Sequence, residues 1–233
     1  MRLICLLPVR NGALTLERYF SSVALFCDGV VALDDGSTDE TAQRLAAEPS
    51  LLNILTNPRR ESYQGWDDRA NRSQLLAAAA DFKPDWIMWL DADEEIPPFD
   101  AVRIRQFLET QGQPDTAYGF EVLRLVKDHE HFDSAKLWVY RLLPFKTGYE
   151  LPPEKFHFEP VPLQIPRENW RRTRLRIAHS AGLTAELRKA RLQKYREVDP
   201  LNVWQQSYDQ IVSPVGHVWE LKPLPAGVDL LIP

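Results

Sequence analysis

Three short apolar runs, residues 2–8 (RLICLLP), 30–33 (VVAL) and 86–90 (WIMWL), each give way to a polar turn, and the second and third of those turns carry clustered aspartates. Runs this short are poor helices and suit strands buried on both faces. Helical patterns lie between them. Residues 14–26 carry Leu14, Leu16, Tyr19, Phe20, Val23 and Leu25, with Gly29 before the second strand. Ser37 and Glu40 stand three apart, the spacing of a capping box, which predicts a helix over 39–48. Leu51–Thr56 reads as a further strand, and the alanine- and leucine-rich stretch 71–82 as a helix stopped by Pro84. Alternating strands and helices predict an α/β fold with a mainly parallel central sheet flanked by helices.

The second half is less regular. Prolines at 97, 98, 144, 152, 153, 160, 162 and 166 cut it into short pieces, with strands expected near 118–125, 136–143 and 172–178. A last helix over 184–198 is closed by Asp199-Pro200. With 233 residues the chain suits one domain, residues 1–199, followed by a C-terminal extension, 200–233, that packs on the body or on a partner. A net charge of -5 gives no global attraction to nucleic acid or to an anionic membrane. No stretch approaches the roughly 20 apolar residues of a membrane span, so membrane contact would be peripheral. Pro8, Arg10 and Asn11 interrupt the N-terminal apolar run too early for a signal peptide. Cys5 and Cys27 read as buried thiols, which fits a reducing, cytoplasmic compartment.

Chemistry concentrates at the strand ends. In Asp91-Ala92-Asp93 an extended chain sets both carboxylates on one face, where they can converge on one point. Hard cations such as Mg²⁺ or Mn²⁺ take oxygen ligands, and Mg²⁺ commonly joins one or two carboxylates to substrate phosphates. Bound there, the ion would act as a Lewis acid toward a departing phosphate. The plainer alternative is that either aspartate caps the turn into Glu94-Glu95-Ile96-Pro97. Position at a strand's carboxyl end favours the ligand site. In the turn from Asp34 to Asp39, Gly36 permits a tight bend, and Ser37 and Asp39 are explained as caps. Asp34 and Asp35 are not needed by the cap, which leaves at least one for a base or ribose.

In this order, Pro8-Val9-Arg10-Asn11, Asp34 to Asp39 and Asp91-Ala92-Asp93 resemble the family 2 glycosyltransferases, whose fold is the Rossmann-like α/β arrangement called GT-A. The resemblance covers residues 1–95, which it marks as the nucleotide-binding half, and leaves 96–199 as the half that completes the metal site and meets the acceptor. It implies a nucleoside-diphosphate sugar such as a UDP-sugar as donor, Mn²⁺ or Mg²⁺ as cofactor, and transfer with inversion to a hydroxyl of a glycan, a lipid-linked sugar or another acceptor. Surface-glycan or lipopolysaccharide assembly is the usual setting. By the same similarity Pro8, Arg10, Asn11 and Asp35 line the nucleoside pocket beside Asp34. Asp91 faces ribose or metal, and Asp93 the metal and diphosphate. Arg69 and Arg72 would grip the nucleotide through planar guanidinium forks, the alternative being solvated helix-surface arginines. His179 is the expected third metal ligand, with His157 competing, although lone histidines are commonly structural. Arg188, Arg191 and Lys194 form a basic stripe at one-turn spacing, either a solvated face or a surface for diphosphate or an anionic acceptor. For the base that takes the acceptor proton, Asp128, Glu130, Glu150 and Glu154 are the candidates, Glu154 foremost and Asp128 next. Trp138 and Tyr149 are aromatics suited to sugar faces or to the core.

Rival readings meet specific obstacles. A sugar-1-phosphate nucleotidyltransferase wants a glycine-rich loop after its first strand, where this chain has one residue, Gly12. A haloacid-dehalogenase-type phosphatase wants Thr or Val where Glu95 stands. A non-catalytic nucleotide-sugar-binding protein has no need of the Asp91 and Asp93 pair.

Overall fold

In the computed structural model, which describes residues 1–155, 157–203, 205–213 and 215–232, β1 (Leu3–Val9) lies at the heart of the sheet. It pairs in parallel with β2 (Gly29–Asp34) and with β4 (Trp86–Trp89), and β2 carries β3 (Leu51–Thr56), also parallel. Alternation along β1 splits the core. Leu3, Cys5 and Leu7 face one layer with α1 (Leu16–Val23) and α4 (Pro98–Gln111), while Ile4 and Leu6 face the other with α3 (Asp68–Ala79). Each such buried aliphatic side chain contributes about 1.5–3 kcal/mol, so a charge at any of these positions would break the sheet's centre.

The helix α4 answers to no sequence expectation, because Pro97 and Pro98 read as breakers. Pro98 stands at the first helical position, where its missing N–H costs nothing and its fixed φ favours the helix. The expected capping box is also not formed. Helix α2 spans Thr41–Ala46, Ser37 Oγ accepts from the backbone N–H of Asn11 instead, and Asp39 accepts from the N–H of Thr41.

Beyond β4 the sheet turns mixed. β7 (His131–Pro144) runs antiparallel to β4 and to β6 (Ala117–Leu125), to which a short turn joins it; only antiparallel strands accept so short a link. β8 (Trp170–His179) returns parallel to β6, and β5 (Glu94–Glu95) pairs antiparallel with its last two residues. The order is β3-β2-β1-β4-β7-β6-β8-β5, parallel in its first four strands. Helix α5 (Ala185–Val198) follows β8, with the Thr184 hydroxyl capping the N–H of Leu187.

The residues after 200 pack on this body. β9 (Trp219–Glu220) pairs with His131 and Phe132 of β7, and Leu230 enters the core. The Arg174 N–H donates to the Leu230 carbonyl at 2.8 Å and the Ile232 N–H to the Arg172 carbonyl at 3.0 Å, so the tail lies along β8. Among the described residues no helix is long and apolar enough to cross a membrane.

Candidate active site

The carboxyl ends of β1, β2 and β4 converge, and with α3 and α5 they bound a cavity of about 360 Å³. That volume is in the range of small-ligand sites. Gly12 makes the convergence possible: a Cβ there would sit 2.6 Å from Val9 Cγ2 and 3.1 Å from Ala92 Cβ, so the loop after β1 could not lie against the Asp91–Asp93 turn. Gly36 is fixed twice over, by φ +72° and by the Pro58 carbonyl where its Cβ would stand.

On the side lined by the ends of β1 and β2 and by the loop after β3, nearly every polar group already has a partner. Asp35 is buried, accepts from Asn57 Nδ2 at 2.7 Å and pairs with the Arg60 guanidinium. Arg10 donates to the carbonyls of Ser62 and Arg60 at 2.5 and 2.7 Å, lies over the Tyr63 ring, and so pins the loop between β3 and α3 against the cavity. Pro8, Arg10, Asn11 and Asp35 all line the cavity, as do Arg72, Asp91, Asp93 and His179.

The Asn11 side-chain oxygen accepts from the N–H of Thr38 at 2.8 Å, so this residue, at φ 52°, clasps two loops together while it lines the cavity. Asp34 closes its own turn by accepting from the N–H of Ser37 at 2.9 Å and does not line the cavity. Arg69 is exposed outside the lining, because α3 turns it to solvent and its neighbour Arg72 inward.

Arg72, with a side chain 5% exposed, donates to Asp68 and to Asp91 Oδ1, both at 2.8 Å. Arg141 donates to Asp91 Oδ2 at 3.2 Å and to the buried Glu94 at 3.0 Å. Burial opposes charge on Asp91, yet the two arginines outweigh it and hold its carboxyl well below the usual range. Burial pushes Glu94 up to about 7 against the pull of Arg141. The sequence reading missed Arg141. Its signal was an arginine inside the apolar run LWVYRLLP, a place where charge is tolerated only with partners.

Asp93 differs. Its side chain is 39% exposed, and among the described residues no arginine or lysine lies within ion-pairing reach; its neighbour is His179 Nε2 at 3.5 Å. Ser180 fixes the Asp93 carbonyl through its N–H and hydroxyl, at 2.8 and 2.9 Å. Burial lowers His179 to about 4, against the pull of Asp93, so the ring is neutral. Arg191 Nη1 stands 3.4 Å from Nδ1. An arginine can only donate, so in that contact Nδ1 accepts and Nε2 carries the proton toward Asp93.

The expected three-ligand metal set is therefore not assembled. The described residues hold no cluster of three His, Cys, Asp or Glu groups able to bind an ion, because both Asp91 oxygens face arginines. Asp93 and His179 remain as an adjacent oxygen and nitrogen donor pair, and that set suits Mn²⁺ or Mg²⁺ when substrate phosphates supply the other ligands. His157 Nε2 lies 3.0 Å from the Tyr208 hydroxyl, within a stack of Tyr195 and Tyr208.

Neither foremost base candidate reaches the cavity. Asp128 sits in the turn from β6 to β7 and bonds His131 and the N–H of Glu130. Glu154 is exposed outside the lining. Trp138 donates to the Thr173 carbonyl, and Tyr149 packs on Phe145; neither lines the cavity.

Parallel strands whose acidic carboxyl-end turns share one cavity place the site where open α/β sheets hold their ligands. The sequence model of glycosyl transferase family 2 matches residues 5–158, and the chain belongs to that family. The fold is similar to S. aureus TarS 1–349 solved with UDP-GlcNAc, at TM-score 0.54 and 12% identity, covering 91% of this chain and 70% of that one. An uncharacterized protein of Mycobacterium tuberculosis is 35% identical over 95 residues, 40% of this chain and 23% of its own length. A TPR repeat-containing protein of Synechococcus elongatus is 36% identical over 123 residues, 52% of this chain and 26% of its own. The chain thus spans about a quarter of the length of these two relatives.

Proposed function

We propose that this family 2 glycosyltransferase moves a sugar from a nucleoside diphosphate to an acceptor hydroxyl, with inversion and with the help of a divalent ion. One observation carries the reading: Asp93 is a cavity carboxylate that no arginine or lysine among the described residues neutralises, at the end of a buried strand, with a neutral histidine beside it. Asp93 would hold the ion, and His179 would join it once Arg191 leaves Nδ1. Bound there, Mn²⁺ or Mg²⁺ would supply Lewis-acid stabilisation of the departing diphosphate. Asp35, framed by Arg60 and Asn57, supports a role in reading the base. Asp91, kept ionised by Arg72 and Arg141, can accept from ribose hydroxyls. The similar TarS structure carries UDP-GlcNAc, which makes UDP-sugars the first donors to try.

A thermal-shift panel of UDP-, GDP-, dTDP- and CMP-sugars with Mn²⁺ tests the donor, since a ligand bound to the native state raises apparent stability. The expected result is a rise with one class that disappears with a chelator. Asp93→Asn should keep the native melting temperature and lower transfer about a thousandfold, the effect of losing about 4 kcal/mol of transition-state stabilisation. Wild-type turnover by that variant would end the assignment.

A further inference from the structure

Among the described residues five cationic side chains line the cavity, and three of them are committed. Arg10 holds carbonyls, while Arg72 and Arg141 hold carboxylates. The other two, Arg191 and Lys194, come from successive turns of α5, and among the described residues neither makes an ion pair with a carboxylate. Lys194 Nζ stands 4.1 Å from the Trp66 ring centroid, 5.5 Å from Tyr63 and 5.9 Å from Tyr195. Ring faces keep an ammonium charged and in place without cancelling its field. Glu197, one turn further on, accepts from the N–H of Tyr63 at 3.0 Å and ties α5 to the loop that carries these rings. A cation fixed by aromatic contacts on a cavity wall, with no anion of its own, is built to receive one.

We infer that Arg191 and Lys194 form a clamp for the diphosphate of the donor, a contact that no motif in the first half of the chain supplies. The inference rests on the sugar-transfer reading and adds residues to it. Arginine and lysine at adjacent turns can grip two phosphates at once, the first by a planar fork and the second as a point charge. Among the described residues Arg191 contacts the His179 ring and Tyr195 and no carboxylate, so it can turn to a phosphate oxygen.

Calorimetry on the full chain in buffer containing Mn²⁺ tests the clamp. The tightest binder among UDP, GDP, dTDP and CDP is compared with its monophosphate and its nucleoside, on wild type, Lys194→Met and Arg191→Gln. Methionine keeps the packing over the rings and removes the charge. Each variant should bind the diphosphate about tenfold more weakly, a step of about 1.4 kcal/mol, and the nucleoside unchanged. Lys194→Arg should restore most of the loss. Equal weakening of nucleoside and diphosphate would reduce Lys194 to a packing residue, and an undiminished diphosphate affinity would remove the clamp. If wild type binds none of the four diphosphates, it is the sugar-transfer reading that falls.

Discussion

The cavity has two walls of unlike construction. On the wall made by β1, β2, β4 and α3, side chains are locked to one another: Asp35 to Arg60 and Asn57, Asn11 to Thr38, Asp91 to Arg72 and Arg141. On the wall made by the end of β8 and by α5, Asp93, His179, Arg191 and Lys194 touch more loosely, through a 3.5 Å pair, a 3.4 Å contact and ring faces. A locked wall presents a fixed pattern of donors and acceptors, which under the proposed function would suit a rigid nucleoside. Loosely held charges can rearrange around phosphates and an ion. Preorganisation and adaptability are thus assigned to different elements of one site.

Substitutions can break or sharpen that contrast. The largest effect is expected at Arg141. Arg141→Gln strands the buried Glu94 without its counter-charge, leaves Asp91 to Arg72 alone, and should cost about 3–5 kcal/mol of stability, read as a lower urea midpoint at unchanged m. Adding Glu94→Gln should recover part of it, and a wild-type midpoint in the single variant would show that the locked wall does not depend on this residue. Next, Asp35→Asn keeps shape but loses the charge that holds Arg60, and donor affinity should fall about tenfold with kcat little changed. A fall in kcat alone would place Asp35 in the chemistry and not in binding. Glu197→Gln weakens the tie between α5 and the Tyr63 loop and should cost about 0.5–1.5 kcal/mol, seen as faster hydrogen exchange at the Tyr63 amide. Arg69→Ala should stay within about 0.5 kcal/mol of wild type and leave donor KM alone; a raised KM would return this residue to the nucleotide site.

The same contrast governs what the sequence disclosed. β1, β2 and β4 were legible because strands buried on both faces are unbroken apolar runs, and the cavity's acidic turns follow directly from them. Pro8, Arg10, Asp35, Arg72, Asp91, Asp93 and His179 do line one cavity. Helix α4 was hidden because proline is a breaker inside a helix and a starter at its first position, and sequence alone did not separate the two cases. Asp34 looked like a ligand group because turn chemistry uses the same residue types as ligand chemistry. Arg141, Arg60 and Asn57 lie far along the chain from the acids they serve, so no local spacing could announce them. The tail's course over β7 and β8 had no period to reveal it.

That course has a consequence of its own. β6 occupies one side of β8, and on the other side β5 reaches only Ala178 and His179. The amides and carbonyls of residues 172–174 would form an open template there, were they not matched by Leu230 and Ile232. An uncovered strand of that kind invites a neighbouring molecule to add its own strand. Residues 229–232 therefore cover this short edge, and a version ending at residue 228 should self-associate more than the full chain, read by light scattering.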